Sequence, residues 1–447
     1  MVVKWLQEEF EKFFANPNAV QEMKEILSAH LGGEYDVSHF QALHDLGYLP
    51  MKFLALPEGS RVPVKVPVLT FWNTHPDFAW LSLYLETPIS NMLWKPMTTA
   101  TIADLFRSVV DKWVAKTDQE SPMGDFMLHD FSSRGMSSVM SSMTSGVAFL
   151  TSSMGSDTLP ALHAAKKYYN TDVCAFSVAA SEHSVSSSCI SVMGEDGMID
   201  YYMEQYPTGI LSLVSDTLDL TKVVKPEEGG YLFERKEKIL QRDGKIVVRP
   251  DSSPTPLSPV EMICGYNGEL TERMLEADYP DFYKKGLIEC LWDIFGGTVN
   301  EQGYKVLDAR IGAIYGEAIN LERLQKIYEI LEAKGFASTN IIVGVGSYTL
   351  NMNSRDTMGI AIKGTYCEID GKPMEIYKDP ITDDGMKKSA KGITAVFKND
   401  EGEYYLKDQS TWSELENCEL DLIFENGKLL KETTLSEIRE RIRSYDI

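Results

Sequence analysis

From about residue 125 to about residue 346, short β-rich runs alternate with helical ones. No other feature constrains the fold of this 447-residue chain as much. The spacing predicts strands at 173–178, 209–214, 245–248, 305–309 and 340–343, and helices at 158–169, 269–277 and 321–334. Strands joined through helices return in the same direction, so the expected fold class is α/β, a parallel sheet or barrel. Polar residues and glycines follow the strand-like runs directly, where an α/β barrel carries its ligand site.

The flanks read differently. Trp5, Leu6, Phe10, Phe13 and Phe14 recur at helical spacing and predict a core-facing first helix. Pro57-Glu58-Gly59-Ser60 is a turn, and Val62, Val64, Val66 and Val68 alternate as a strand does. Residues 79–116 are helical in pattern. Past residue 359 hairpin material returns, with Asp370-Gly371, Asp400-Glu401-Gly402 and Asn426-Gly427 as turn signals before an amphipathic helix at 435–442. With no repeat or low-complexity linker between the flanks, they are expected to pair. The expected organisation is a discontinuous β-rich α+β domain (1–86 with 360–447), a helical connection (87–124) and a barrel (125–359).

A formal charge of −23 leaves no basic excess for nucleic acid, although a few local arginines and lysines still suffice for a phosphorylated metabolite. The six cysteines are scattered without a C-x-x-C pair, which predicts a reduced, cytoplasmic protein without a zinc site. No apolar run approaches the roughly 20 residues that span a bilayer, so no membrane partner is expected. The acidic amphipathic start is unlike a signal or transit peptide.

Several polar residues stand where chemistry would be done. His183 follows the apolar run 176–180 and can transfer a proton, take up phosphate or orient a neighbour, unless it only bonds locally. Glu182 adjoins it. Asp157, in Gly155-Ser156-Asp157-Thr158, is either a helix N-cap or an acceptor for a ligand NH₂. Asp216 and Asp251 follow strand-like runs and suit sugar hydroxyls or a hydrated Mg²⁺, with capping as the competing role. Arg249 and Arg355 are anion clamps or surface arginines. Gly344-Val345-Gly346-Ser347 offers backbone amides to a phosphate, yet matches neither the dinucleotide-binding nor the P-loop glycine pattern.

In order along the chain, His129–Gly135, Gly155–Thr158, Lys166–Tyr169, Ser181–Ser184, Val214–Asp216 and Arg249–Ser252 resemble the nicotinamide phosphoribosyltransferases, of type II. The likeness extends upstream to Pro57-Glu58-Gly59 and Asn73-Thr74-His75-Pro76. Downstream it takes in Gly316-Glu317, Val343–Gly346, Arg355-Asp356 and Lys378-Asp379-Pro380, so it covers essentially the whole chain. The resemblance implies an irregular α/β barrel plus a discontinuous β-rich domain, in a homodimer with active sites at the subunit interface. It implies transfer of the 5-phosphoribosyl group from phosphoribosyl pyrophosphate to nicotinamide, giving nicotinamide mononucleotide and pyrophosphate. By motif, Phe131 would stack on the pyridine ring, Asp157 would accept from its amide, and Arg249 would lie close by, with Arg134 and Asp251 lining the site. His183 resembles the histidine phosphorylated when ATP hydrolysis is coupled to synthesis, and Asp216 would flank it. Gly316 and Glu317 would meet the ribose, and Gly346 and Ser347 the 5′-phosphate. Arg355, Lys363 and Lys378 match basic positions for phosphate or pyrophosphate. Mg²⁺ is the implied cofactor, with ATP a facultative coupling substrate.

The chain departs from the family pattern at Ser132, Ser253 and Ser347 (glycine in the family), Ser133 (tyrosine) and Glu317 (aspartate). The family's opening Asp-Ser-Tyr-Lys segment has no counterpart, and the expectation is a start at an internal methionine. Two alternatives accompany the main reading. One is a nicotinate phosphoribosyltransferase, which Asp157 opposes; the other is a truncated, non-catalytic homologue that binds nucleotide or a partner subunit.

Overall fold

Seven short strands of the middle region pair in parallel. In chain order they are β1 (Leu128–Asp130), β2 (Gly155–Ser156), β3 (Ala179–Ala180), β4 (Thr208–Val214), β5 (Asp243–Arg249), β6 (Ile311–Tyr315) and β7 (Ile341–Val345). The hydrogen-bonded order is β2-β1-β7-β6-β5-β4-β3. A lone parallel bridge from Gly155 to Phe176, just ahead of β3, joins the two ends. There the Ser156 N–H donates to the Phe176 carbonyl at 3.1 Å, and the Phe176 N–H to the Met154 carbonyl at 2.8 Å. The sheet therefore curls into an irregular α/β barrel whose seam is one bridge wide. The computed structural model describes residues 1–382 and 388–445.

Alternation along the strands sorts their side chains. Leu211, Leu213, Ile246, Val248, Val343 and Val345 join one apolar core with residues of the helices Pro259–Cys264, Leu287–Phe295 and Leu321–Ala333. The intervening positions, among them His129, Lys245, Gly312 and Gly344, lie on the opposite face of their strands. Lys245 is partly buried there, and burial holds its ammonium below the ordinary lysine range.

The chain divides into two compact units. One comprises Pro96–Ala164 and Asp172–Ser354 and holds the barrel; the other comprises Met1–Lys95, Ala165–Thr171 and Arg355–Asp446. In the latter, Lys428–Leu429, Asp421–Glu425, Met51–Ala55 and Leu69–Asn73 form an antiparallel sheet in that order. The first helix, Val2–Ala15, buries Val2, Val3 and Leu6 in a core with Leu43, Leu49 and Phe53. Two tight hairpins turn at Asp370-Gly371 and Asn426-Gly427, with φ of 54° and 71° and of 50° and 79°. Two successive left-handed residues are what a type I′ turn demands. Among the described residues no helix is long and apolar enough to cross a membrane.

Several expected elements are corrected. Residues 62–68 form no strand, because Pro63 and Pro67 lack the N–H a ladder needs and Lys65 turns at φ 72°; the strand is Leu69–Asn73. The run 173–178 contributes only the Phe176 bridge, and the strand is Ala179–Ala180. Lys305–Leu307 pairs antiparallel with Gly297–Val299, and the barrel strand is the next apolar run, Ile311–Tyr315. The helix expected at 269–277 shrinks to Glu272–Leu275.

The β4–β5 ladder starts at a close backbone approach. Gly244 has φ 147°, and a Cβ on it would lie 1.9 Å from the Gly209 carbonyl oxygen. The buried Arg242 guanidinium donates to the carbonyls of Tyr206 at 2.6 Å and Thr208 at 2.9 Å, and to that of Gly209. Gly244→Ala forces the two strands apart, so an expected loss of about 2–4 kcal/mol should appear in urea unfolding. A change under about 0.5 kcal/mol would show that the ladder tolerates a side chain there.

Candidate active site

Each barrel strand runs into residues with chemical capability. Phe131 follows β1, Asp157 follows β2, and Glu182 and His183 stand beyond β3. Asp216 lies beyond β4, Arg249 ends β5 with Asp251 two residues on, Gly316 and Glu317 follow β6, and Gly346 and Ser347 follow β7. Parallel pairing puts all these ends on one rim of the barrel.

Phe131 lies on a glycine floor. A Cβ on Gly344 would come within 2.2 Å of the Phe131 ring, and one on Gly316 within 2.9 Å. Its backbone N–H donates to the Val345 carbonyl at 3.1 Å, and the His129 ring is 5.0 Å away between centroids. Asp157 Oδ1 accepts from His129 Nε2 at 3.0 Å and from the Ser177 hydroxyl. None of its side-chain bonds among the described residues caps the following helix. Burial pushes the Asp157 carboxyl up, but the bonds from His129 and Ser177 and the charge of Arg249 outweigh it and hold the group below the usual carboxylate range.

A second cluster joins β3, β4 and β5. His183 Nε2 is 3.6 Å from Asp216 Oδ1. Asp216 Oδ2 accepts the Asp251 N–H at 2.8 Å and the Ser252 hydroxyl at 2.6 Å, while Oδ1 is buried without a hydrogen bond among the described residues. The turn after Asp216 is anchored from below by buried Glu195, which accepts the N–H groups of Leu218 at 3.2 Å and Asp219 at 3.4 Å. Burial raises the Glu195 carboxyl. Asp251 presents surface to solvent, yet partial burial of its carboxyl, with Asp216 and Glu182 nearby, outweighs Arg249 and raises it too.

Arg249 donates to the Ser181 carbonyl and lies 3.8 Å from Glu182, which also accepts from Arg134 at 3.1 Å. Burial raises the Glu182 carboxyl, but the two guanidinium groups overcome this and hold it low. Glu317 Oε2 accepts the hydroxyls of Ser253 at 2.5 Å and Tyr315 at 3.0 Å. Two of the departures from the family pattern, Ser253 and Glu317, are thus bonded to each other. A third, Ser347, lies against Gly135, where any Cβ would meet its Oγ at 2.0 Å.

Three of the expected basic residues, Arg355, Lys363 and Lys378, belong to the other compact unit and are exposed. Arg355 lies 3.4 Å from Asp356, and the Lys378 N–H donates to Ser389 Oγ at 2.9 Å. His129, Ser177, Ser252, Tyr315 and Glu195 were given no role by the sequence. A signal existed for His129, which sits two residues before Phe131 and so on the same strand face. Ser177, 20 residues from Asp157, carries none.

The parallel barrel and its polar rim agree with the type II phosphoribosyltransferase fold that the sequence resembles. The model of the nicotinate phosphoribosyltransferase (NAPRTase) family matches residues 126–415, and the chain belongs to that family. It is 43% identical to a nicotinamide phosphoribosyltransferase of Acinetobacter baylyi, over 97% of this chain and 84% of that one. It is 31% identical to a second protein of that name from Xanthomonas campestris pv. campestris, over 94% and 85%. In fold it is similar to the crystal structure of nicotinate-nucleotide pyrophosphorylase from Pyrococcus furiosus, with a TM-score of 0.50 and 17% identity, over 88% of this chain and 80% of that one.

Gly344→Ala displaces the Phe131 ring and should cost about 1–3 kcal/mol. Adding Phe131→Ala should make the two losses clearly less than additive in urea unfolding, and strict additivity would deny the contact. Asp157 supplies a pH test. A carboxyl lowered by folding adds stability above its unfolded-state value of about 4, and that stability is lost as pH falls through the folded value. Between pH 6 and pH 3 the native chain should therefore lose more thermal stability than Asp157→Asn.

Proposed function

We propose that the chain transfers the 5-phosphoribosyl group of phosphoribosyl pyrophosphate to nicotinamide, giving nicotinamide mononucleotide and pyrophosphate in NAD salvage. The observation that carries the choice of ring is Asp157, a carboxylate held below the usual range and bonded at 3.0 Å to the His129 ring, which neighbours Phe131. An ionised acceptor favours an amide NH₂ and repels the carboxylate of nicotinic acid. The names of the two bacterial relatives point the same way.

Phe131 takes the pyridine ring on its face, and Asp157 fixes the ring's rotation through the amide. Arg249 closes the same pocket. The ring nitrogen then bonds to the anomeric carbon as the bond from that carbon to pyrophosphate oxygen breaks, both electrons leaving with pyrophosphate. Positive charge gathers on the sugar during this exchange, where Asp251 and Glu317 offset it. Arg134, Gly346 and Ser347 serve the phosphate groups. His183 and Asp216 form the pair at which ATP coupling would act.

The rim suits Mg²⁺. Asp216 and Asp251 are hard oxygen donors, and Asp216 Oδ1 has no hydrogen bond among the described residues. Magnesium is commonly held by one or two carboxylates together with substrate phosphates and water. Bound there, it would neutralise charge on the departing pyrophosphate. A homodimer is the assembly that the family resemblance implies. A cytoplasmic location fits the scattered free cysteines.

The test is product formation by this chain from phosphoribosyl pyrophosphate, Mg²⁺ and either nicotinamide or nicotinic acid. Nicotinamide mononucleotide is expected, with little product from nicotinic acid. Turnover of nicotinic acid alone, or of neither ring, overturns the reading. Asp157→Asn should narrow the preference for nicotinamide by about tenfold or more, and an unchanged preference would remove Asp157 from ring selection. His183→Ala should abolish stimulation by ATP more than basal synthesis, and equal loss of both would count against a phosphoryl-accepting role.

A further inference from the structure

Both protein bonds to Glu317 fall on one oxygen. Its Oε2 accepts from Tyr315 at 3.0 Å and from Ser253 at 2.5 Å, whereas Oε1 takes no hydrogen bond among the described residues. Tyr315 ends β6 and Glu317 stands two residues on, in the turn that follows, while Gly316 between them adjoins the Phe131 ring. The Tyr315 ring is wholly buried in the barrel's apolar core, so packing rather than the loops sets the position of its hydroxyl.

That hydroxyl has a second acceptor, the Ser252 carbonyl at 3.1 Å. The Ser252 hydroxyl in turn donates to Asp216 Oδ2 at 2.6 Å, and Asp216 is the neighbour of His183. One phenol therefore links the carboxylate beyond β6 to the loop after β5 and, through it, to the turn after β4. Burial, reinforced by the Glu317 charge, raises the Tyr315 phenol, so it remains a donor at any working pH.

We infer that Tyr315 and Ser253 are positioning residues: they hold Glu317 by Oε2 and leave Oε1 for the hydroxyls of the phosphoribosyl group. Tyr315 further ties this carboxylate to the Asp216 turn. The inference rests on the proposed sugar-side role of Glu317. A plain structural role would need only that the loop be capped, and would move stability without discriminating between the two substrates.

The experiment compares steady-state kinetics of the full chain with those of Tyr315→Phe, Ser253→Ala, Glu317→Gln and the double variant Tyr315→Phe/Glu317→Gln. Thermal unfolding is measured in parallel. Tyr315→Phe keeps the buried ring, and Ser253→Ala alters only a half-buried loop position. Each is expected to raise KM for phosphoribosyl pyrophosphate about five- to tenfold, the net worth of one ordinary hydrogen bond, with KM for nicotinamide within about twofold of the parent. In the Glu317→Gln background, Tyr315→Phe should add nothing. If Glu317→Gln raises the sugar-phosphate KM but Tyr315→Phe and Ser253→Ala do not, the positioning role is overturned and the sugar-side reading stands. If Glu317→Gln leaves that KM unchanged, the sugar-side reading fails and the inference with it. Equal changes in both KM values, or a lower melting temperature with unchanged kinetics, also overturn it.

Discussion

Parallel pairing is the constraint on which the site depends. Because all seven strands run in one direction, their C-terminal ends share a rim, and residues far apart in sequence meet there. The ladder does not stop where the strands do. The N–H groups of Phe131, Asp157, Ser181 and Ser215 donate to the carbonyls of Val345, Asp130, Ser212 and Arg249 at 2.9–3.1 Å. Phe131 and Asp157 are therefore pinned, and Glu182 and Asp216 adjoin pinned residues, by backbone bonds to the neighbouring strand. Side chains on such a frame lose little further freedom when a ligand arrives, which is what orienting two reactants requires.

Charge on the rim is divided rather than uniform. Asp157 and Glu182 face imidazole or guanidinium partners that overcome burial and keep them ionised. Asp251 and Glu195 have burial and like charge against them and are raised. In a chain with a net charge of −23, Arg134 and Arg249 place two guanidinium groups at the rim, 3.1 Å and 3.8 Å from Glu182, and on the proposed reading these meet the anionic substrate. The bulk charge decides other matters, such as the lack of a basic surface for nucleic acid.

The glycines and hydroxyls of the rim act through close approach. Gly344 and Gly316 let the Phe131 ring come up against strand backbone, and Gly135 leaves room for Ser347. Ser253 and Glu317, which look like independent departures in the sequence, are one hydrogen-bonded unit. A longer carboxylate and an added hydroxyl compensate each other in a way that no position read alone reveals.

Much of the fold was legible in sequence, and its limits have physical causes. The runs 209–214, 245–248 and 340–343 became β4, β5 and β7 because six or so alternating residues leave a readable period. β1 and β2, at three and two residues, are too short to leave one, and apolar character could not tell Lys305–Leu307 from Ile311–Tyr315. At the site, motif order brought forward Phe131, Asp157, His183, Asp216 and Arg249. Their partners Ser177 and Ser252 stayed hidden, as did Tyr315 beside Glu317, since a serine or tyrosine carries no mark of what it will touch. The chain by itself determined the α/β alternation, the turn chemistry and the residue types offered at each strand end, all of them local properties of backbone and side chain. Only the tertiary structure decided which carboxylate meets which donor, and hence which remain charged, because that depends on barrel closure and on burial.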